Sequence, residues 1–152
     1  MWTATKTKLP AGDIYDLVKR HKLEWDDPQA TVAMCKGMST ADHYMLTAGD
    51  VLVGHLFIAE GGAVDLIPVT KYFGRPDAYA DKLIGAVRPV LEELFLAGAR
   101  RFYSCVPISR PRTKKALKEL GFVSEGRPRE AFTPFGGAPE DVWILGLIPR
   151  DL

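Results

Sequence analysis

A chain of 152 residues has the length of one domain, and 47% apolar with 26% charged residues is enough to bury a core. The 20 basic and 19 acidic residues leave a formal charge of +1, a balance that argues against nucleic acid or a membrane surface as partner. No apolar run reaches the roughly 18 residues a bilayer span needs. Residues 1–6 lack the apolar stretch of a signal peptide, so a cytoplasmic protein is expected. Cys35 and Cys105 lie in apolar stretches without metal-ligand spacing. They read as buried free thiols, and no metal site is expected.

Residues 2–8 alternate weakly and are rich in Thr, which predicts a first strand. After the break at residues 9–12, Asp13 predicts the cap of a helix running to about residue 22, with Ile14, Leu17, Val18 and His21 on one face. Asp26-Asp27-Pro28 starts a second helix that stops near Gly37. The period then changes. Residues 43–47, 51–59 and 63–69 read as an antiparallel meander turned by Ala48-Gly49-Asp50 and Gly61-Gly62. Residues 77–97 form a long apolar-faced helix interrupted by Pro89 and ended by Gly98. A strand over 101–106, a short helix over 111–120, a strand over 122–132 and a last strand over 141–148 complete the chain.

The order β-αα-βββ-α-β-α-ββ describes an α/β (α+β) domain spanning residues 1–152. Its central mixed sheet has about seven strands, with a parallel pair flanking the long helix.

The C-terminal third carries a sharper pattern. Residues 113–122, Thr-Lys-Lys-Ala-Leu-Lys-Glu-Leu-Gly-Phe, end a helix on leucine-glycine-phenylalanine. Glu125-Gly126-Arg127-Pro128-Arg129-Glu130 follows, then the Gly136-Gly137 turn and Asp141-Val142-Trp143-Ile144-Leu145-Gly146-Leu147. Gly121 permits the left-handed backbone that ends a helix, and Phe122 starts a strand from the core. This succession, with the element order, resembles the GNAT superfamily of acyl-CoA-dependent N-acetyltransferases. It is nearest the branch that acetylates the N-terminal residue of ribosomal proteins.

The resemblance implies acetyl-CoA as cofactor. The family's phosphate cradle, Gln/Arg-x-x-Gly-x-Gly/Ala, falls on Arg75-Pro76-Asp77-Ala78-Tyr79-Ala80. There backbone N–H groups at a helix N-terminus would grip the pyrophosphate. Arg75 and Ala80 match, Ala78 replaces the glycine, Pro76 removes a donor and Asp77 adds a carboxylate, so the loop is degenerate. By the same resemblance Ile67 and Val69 offer backbone contacts to the pantetheine arm. Arg110 takes the place of a cofactor-touching Asn, Thr113 keeps a hydroxyl beside it, and Leu117 replaces a Tyr general acid. The basic run over residues 110–118 reads as a 3′-phosphate site or as a solvated helix face.

Amine acetylation by direct attack needs a base and a proton donor. Asp65 is the candidate base on the cofactor strand, with an exposed strand residue as the other reading, and Tyr103 is the candidate acid. Glu60 is a second base candidate that reads as a turn residue otherwise, Tyr103 reads otherwise as a core aromatic, His43 and His55 read as packed or exposed strand residues, and His21 as structural. Trp25 and Phe135 line the acceptor cleft or plug turns. The acceptor is an amine on a protein N-terminus or a small molecule. The competing expectation is an inactive GNAT-like shell serving as a binding or assembly module, as in a bacteriophage virion, with homo-oligomers open under either.

Overall fold

The computed structural model describes the backbone of residues 1–69 and 76–152, and the side chains of residues 1–69 and 81–152. Its elements follow the expected order. Strand β1 (Trp2–Thr7) leads to helices α1 (Ala11–Arg20) and α2 (Pro28–Thr40). Strands β2 (Asp42–Ala48), β3 (Val51–Ile58) and β4 (Val64–Pro68) form the meander, and helix α3 (Pro76–Leu96) follows. Strand β5 (Phe102–Pro107), helix α4 (Pro111–Glu119) and strands β6 (Val123–Gly126) and β7 (Val142–Leu147) complete the fold.

The strands divide into two antiparallel sheets, ordered β1-β2-β3-β4 and β5-β7-β6. The expected parallel pair is β4 with β5, and it is joined by a single bridge, Ala63 to Tyr103. The side chains sort by strand alternation. One face of the first sheet gives Leu46, Leu56, Ile58, Val64 and Leu66 to a core with Leu83, Val87 and Leu91 of α3. That core continues into the second sheet through Phe102, Val106, Leu145 and Leu147, and into α4 through Leu117 and Leu120. The opposite face packs Phe57 and Ile67 against Ile14, Leu17 and Val18 of α1 and Met38 of α2. Burying each large apolar side chain is worth about 2 kcal/mol, so the two cores fix both layers on the sheet.

Local chemistry explains most of the ends. Asp27 caps α2 by accepting the Gln29 N–H at 2.9 Å, with Pro28 in the first turn. Helix α1 starts at Ala11, before Asp13, whose charge favours the first turn without capping it. Helix α2 passes Gly37, and the Ser39 and Thr40 hydroxyls bond back to the Lys36 and Gly37 carbonyls at 2.7 and 3.0 Å. Gly121 closes α4 at φ 111°, with Gly121 N–H on the Lys118 carbonyl and Phe122 N–H on the Leu117 carbonyl. A Cβ there would sit 2.7 Å from the Asp151 oxygen.

The strand expected over residues 122–132 is shorter, ending at Gly126. Pro128 lacks a donor, and Glu130 takes a left-handed φ of 49°. The Asp141 carboxylate holds the resulting turn, accepting from Glu130 N–H and Arg127 Nε at 3.0 Å each.

Candidate functional site

The centre of the fold is the place where β4 and β5 part. Tyr103 N–H donates to the Gly62 carbonyl at 2.9 Å, joining the two strands at their starts. Gly62 is at φ 91°, and a Cβ on it would lie 2.5 Å from the Arg101 oxygen, so only glycine allows the approach. Beyond this contact the strands diverge. The bonds of β4 to β3 fix which way its groups face. Ala59 N–H meets the Ala63 carbonyl and Val69 N–H meets the Val53 carbonyl at 2.9 and 3.0 Å, so residues 63, 65, 67 and 69 turn their backbone toward β3. Val64, Leu66 and Pro68 therefore face β5. On β5, the Ile108 N–H bond to the Asp141 carbonyl directs even-numbered residues to β7, which leaves Tyr103, Cys105 and Pro107 facing β4.

The strands splay apart right after the bridge, before the facing donors of Val64, Cys105 and Leu66 are used up. If the bridge register continued, the donors beyond those would be Pro107 and Pro68, which have none, so the far end of the gap cannot pair either. The backbone groups of Leu66 and Cys105 are left directed into the gap.

The gap opens into a cavity of about 410 Å³ between α2, β4, β5 and the start of α4. Asp65, Ser104, Cys105, Pro107 and Thr113 line it on the sheet side. Leu23, Trp25, Met34, Met38 and Phe132 line it on the other. Asp65 alternates with the buried Val64 and Leu66 and so points into the cavity. Solvent reaches its side chain through the mouth, yet protein crowds its carboxyl, and that burial pushes its pKa up. Cys105 sits on the same face. Burial, and then the charge of Asp65, push its thiol pKa up and keep it protonated, which suits no nucleophilic role.

The structure sorts the residues singled out from the sequence. Asp65 and Thr113 line the cavity. Tyr103 lies on the same β5 face as Cys105, is 36% exposed, and is outside the lining. Ile67 also lines the cavity, but the backbone groups of Ile67 and Val69, expected to face the pantetheine arm, bond toward β3, and Leu66 and Pro68 hold the gap-facing positions. Arg110 reaches the cavity edge, but its Nη2 donates to the His21 and Lys22 carbonyls, so it ties the start of α4 to the end of α1. Arg75 lies outside the described residues. Pro76, Asp77, Ala78, Tyr79 and Ala80 form the first turns of α3, in backbone only. Leu117 is a fully buried core residue.

Other expectations also move. Cys105 is exposed and Cys35 half-buried, because their faces look to the cleft and the layer edge. In the basic run, Lys114 sits 3.7 Å over the Trp143 ring, while Arg112, Lys115 and Lys118 are exposed. His43 and His55 are packed, as one of the two readings had it. Thr7 Oγ1, His43 and His55 form a chain with bonds of 2.8 and 2.9 Å beneath Phe57. Desolvation, helped by the facing histidines, lowers the His55 pKa to about 4. His43 stands opposite Phe57 and His55 opposite Met45, so the two imidazoles meet diagonally across β2 and β3, and that depends on the register, which no local motif announces.

No protein-family model matches the chain, and no curated protein matches its sequence. Solved structures do match its fold. A mutant form of spermidine N-acetyltransferase SpeG from Vibrio cholerae superposes with a TM-score of 0.65 at 18% identity, covering 97% of this chain and 93% of that one. The Vibrio cholerae spermidine N-acetyltransferase in complex with CoA and spermine superposes with a TM-score of 0.63 at 17% identity, covering 98% and 97%. Among the described residues no helix is long and apolar enough to cross a membrane, and no group of His, Cys, Asp and Glu has metal-site geometry. The mixed α+β architecture of this chain is the GNAT fold of those structures.

Proposed function

We propose that the protein transfers an acyl group, acetyl in the simplest case, from acyl-CoA to a primary amine on a small molecule or a protein N-terminus. The observation that supports this best is the gap itself. Leu66 and Cys105 turn backbone groups into it, and Asp65 points into the cavity that it opens onto. Acyl-CoA supplies an activated thioester carbonyl. The Leu66 N–H, with the Val64 and Pro68 carbonyls, suits an extended arm carrying amides, because it offers a donor and acceptors along one strand edge. Thr113 and the N–H groups of the first turn of α4 suit phosphate. By resemblance, so does the segment over residues 75–80.

The chain's own groups perform simple tasks. Asp65 draws the ammonium of the acceptor into an otherwise apolar cavity and then takes its proton. Its raised pKa makes it a stronger base than a solvated carboxylate. The amine nitrogen bonds to the acyl carbon, the C–S bond breaks with its electron pair on sulfur, and the second proton that the nitrogen sheds on becoming an amide reaches the thiolate through solvent. The cavity walls exclude water from the carbonyl and so limit hydrolysis.

Calorimetric titration with acetyl-CoA tests the reading. Saturable binding is expected, with a rise in thermal stability of about 3 kcal/mol at 100 times the dissociation constant. No heat and no stability shift at millimolar acetyl-CoA would leave the inactive shell as the function of this fold.

A further inference from the structure

We infer that the acceptor is a primary amine carried on a compact apolar body, of about the size of phenethylamine, and that polyamines are poor acceptors. The inference rests on the acyltransferase reading and narrows its acceptor.

The first observation is the inner face of α2. Ala30, Ala33, Met34 and Met38 recur at helical spacing and line the cavity. The two alanines keep this wall of the cavity short, so larger residues at these positions would narrow it. The methionines adapt to an apolar guest.

The second observation is a preorganised aromatic wall. Trp25 meets Phe132 edge-on, with ring centroids 4.7 Å apart. The loop that carries Trp25 is fixed on both sides. Trp25 N–H donates to Thr31 Oγ1 at 2.9 Å, Trp25 bridges to Pro134, and Asp26 N–H donates to the Thr133 carbonyl at 2.8 Å. The α1–α2 connection and the β6–β7 connection therefore hold each other, and the ring loses little freedom when a guest arrives.

The third observation is charge. Asp65 is the one acidic residue among the described residues that line the cavity. It can pair with one ammonium. A polyamine carries further ammonium groups a few methylenes along, and here they would meet Trp25, Met34 and Phe132 without a carboxylate. Arg110, the other charged lining residue, would repel them. A single ammonium on an apolar body matches both halves of the cavity: the charge goes to Asp65 and the body to the wall under α2.

The test uses two ligands and two readouts. Phenethylamine and spermidine are each titrated into the protein by calorimetry. Each is then assayed as acceptor by CoA-thiol release with acetyl-CoA. The expected result is a kcat/KM for phenethylamine at least about tenfold above that for spermidine, with the same order of binding. Ala33→Leu and, separately, Ala30→Leu add atoms to the cavity and not to the core. Each should weaken phenethylamine binding about tenfold or more while acetyl-CoA affinity stays within about twofold. Ala33 is exposed at the cleft, so folding of its variant is expected to be intact, and thermal unfolding checks it.

Preference for spermidine, or phenethylamine binding unchanged in both leucine variants, overturns the inference. The two readings fail separately. Acetyl-CoA binding without phenethylamine binding or turnover removes the apolar acceptor and keeps the acyltransferase. Phenethylamine binding that Ala33→Leu abolishes, in a protein that binds no acetyl-CoA, keeps the apolar amine site and removes the transfer reaction.

Discussion

Strand β4 meets β3 through a regular antiparallel ladder from Val64 to Pro68, while on its other side it meets β5 at one bridge. The backbone is the same on both edges, and the side chains of one strand serve both. What differs is how far the neighbouring strand follows it, and only secondarily the supply of donors. Toward β3 the facing residues are 63, 65, 67 and 69, none of them proline. Toward β5 they include Pro68, and Pro107 stands opposite. The splay from β5 leaves the backbone of Leu66 directed into the gap, and the two missing N–H groups beyond it keep a ladder from re-forming, so one edge of a central strand becomes a surface that a ligand can complete, without exposing a whole sheet edge.

Asp65 gives the largest expected effect on the open side. Asp65→Asn should lower kcat by about 10³-fold, with acetyl-CoA affinity unchanged, because the amide cannot accept the proton. The same variant should be more stable than the parent at neutral pH. The folded pKa of Asp65 is raised, so its ionised form costs stability above that pKa, and the neutral amide removes the cost. Full turnover in Asp65→Asn would remove Asp65 as base, and a loss of stability would contradict its crowded environment.

The one point where the open edge closes is expected to be nearly as sensitive. Gly62→Ala places a Cβ 2.5 Å from the Arg101 oxygen at a positive φ, and it should cost about 3 kcal/mol in chemical denaturation. An unchanged midpoint would mean that the strands touch elsewhere.

The closed side has its own signature. His43 and His55, on β2 and β3 of the first sheet, have lowered pKa values, His55 at about 4. The unfolded chain, with His near 6.5, binds more protons than the folded one between those values. Stability should therefore fall as pH drops from about 6.5 toward 4, at up to about 1.4 kcal/mol per pH unit for one group. His55→Gln should flatten that slope, and a slope unchanged in the variant would place the titration in another group.

The smallest effect is expected at Tyr103, which lies outside the cavity lining. Tyr103→Phe should change kcat by less than about threefold. A loss near 10²-fold would instead restore it as the acid that its place on the neighbouring strand suggested.

These contrasts also separate what the sequence made legible from what it hid. The element order was legible because periodicity changes sharply at α2–β2 and at β4, and because Gly121 and Asp27 mark helix ends with a physical mechanism. Asp65 was legible as a carboxylate alternating with Val64 and Leu66. The phase of β4 was not. A shift of one residue exchanges Leu66 for Ile67 at the gap, and only the pairing with β3 decides it. Arg110 looked like a phosphate ligand by position, yet it meets the carbonyls of His21 and Lys22, a contact across 88 residues that no local pattern encodes. Cys105 looked buried because its neighbours are apolar, whereas strand alternation turns it to the cleft.

The central claim is that acyl-CoA completes the edge of β4 that the splay from β5 leaves open, and amide hydrogen exchange read residue by residue tests it most directly. In the protein alone, the Leu66 and Cys105 amides should exchange fast, while Ile67 and Val69, bonded to β3, stay protected. Saturating acetyl-CoA should protect Leu66 and leave Ile67 and Val69 unchanged. Protection of Leu66 without ligand, or fast exchange of Leu66 at saturating acetyl-CoA, would contradict the account.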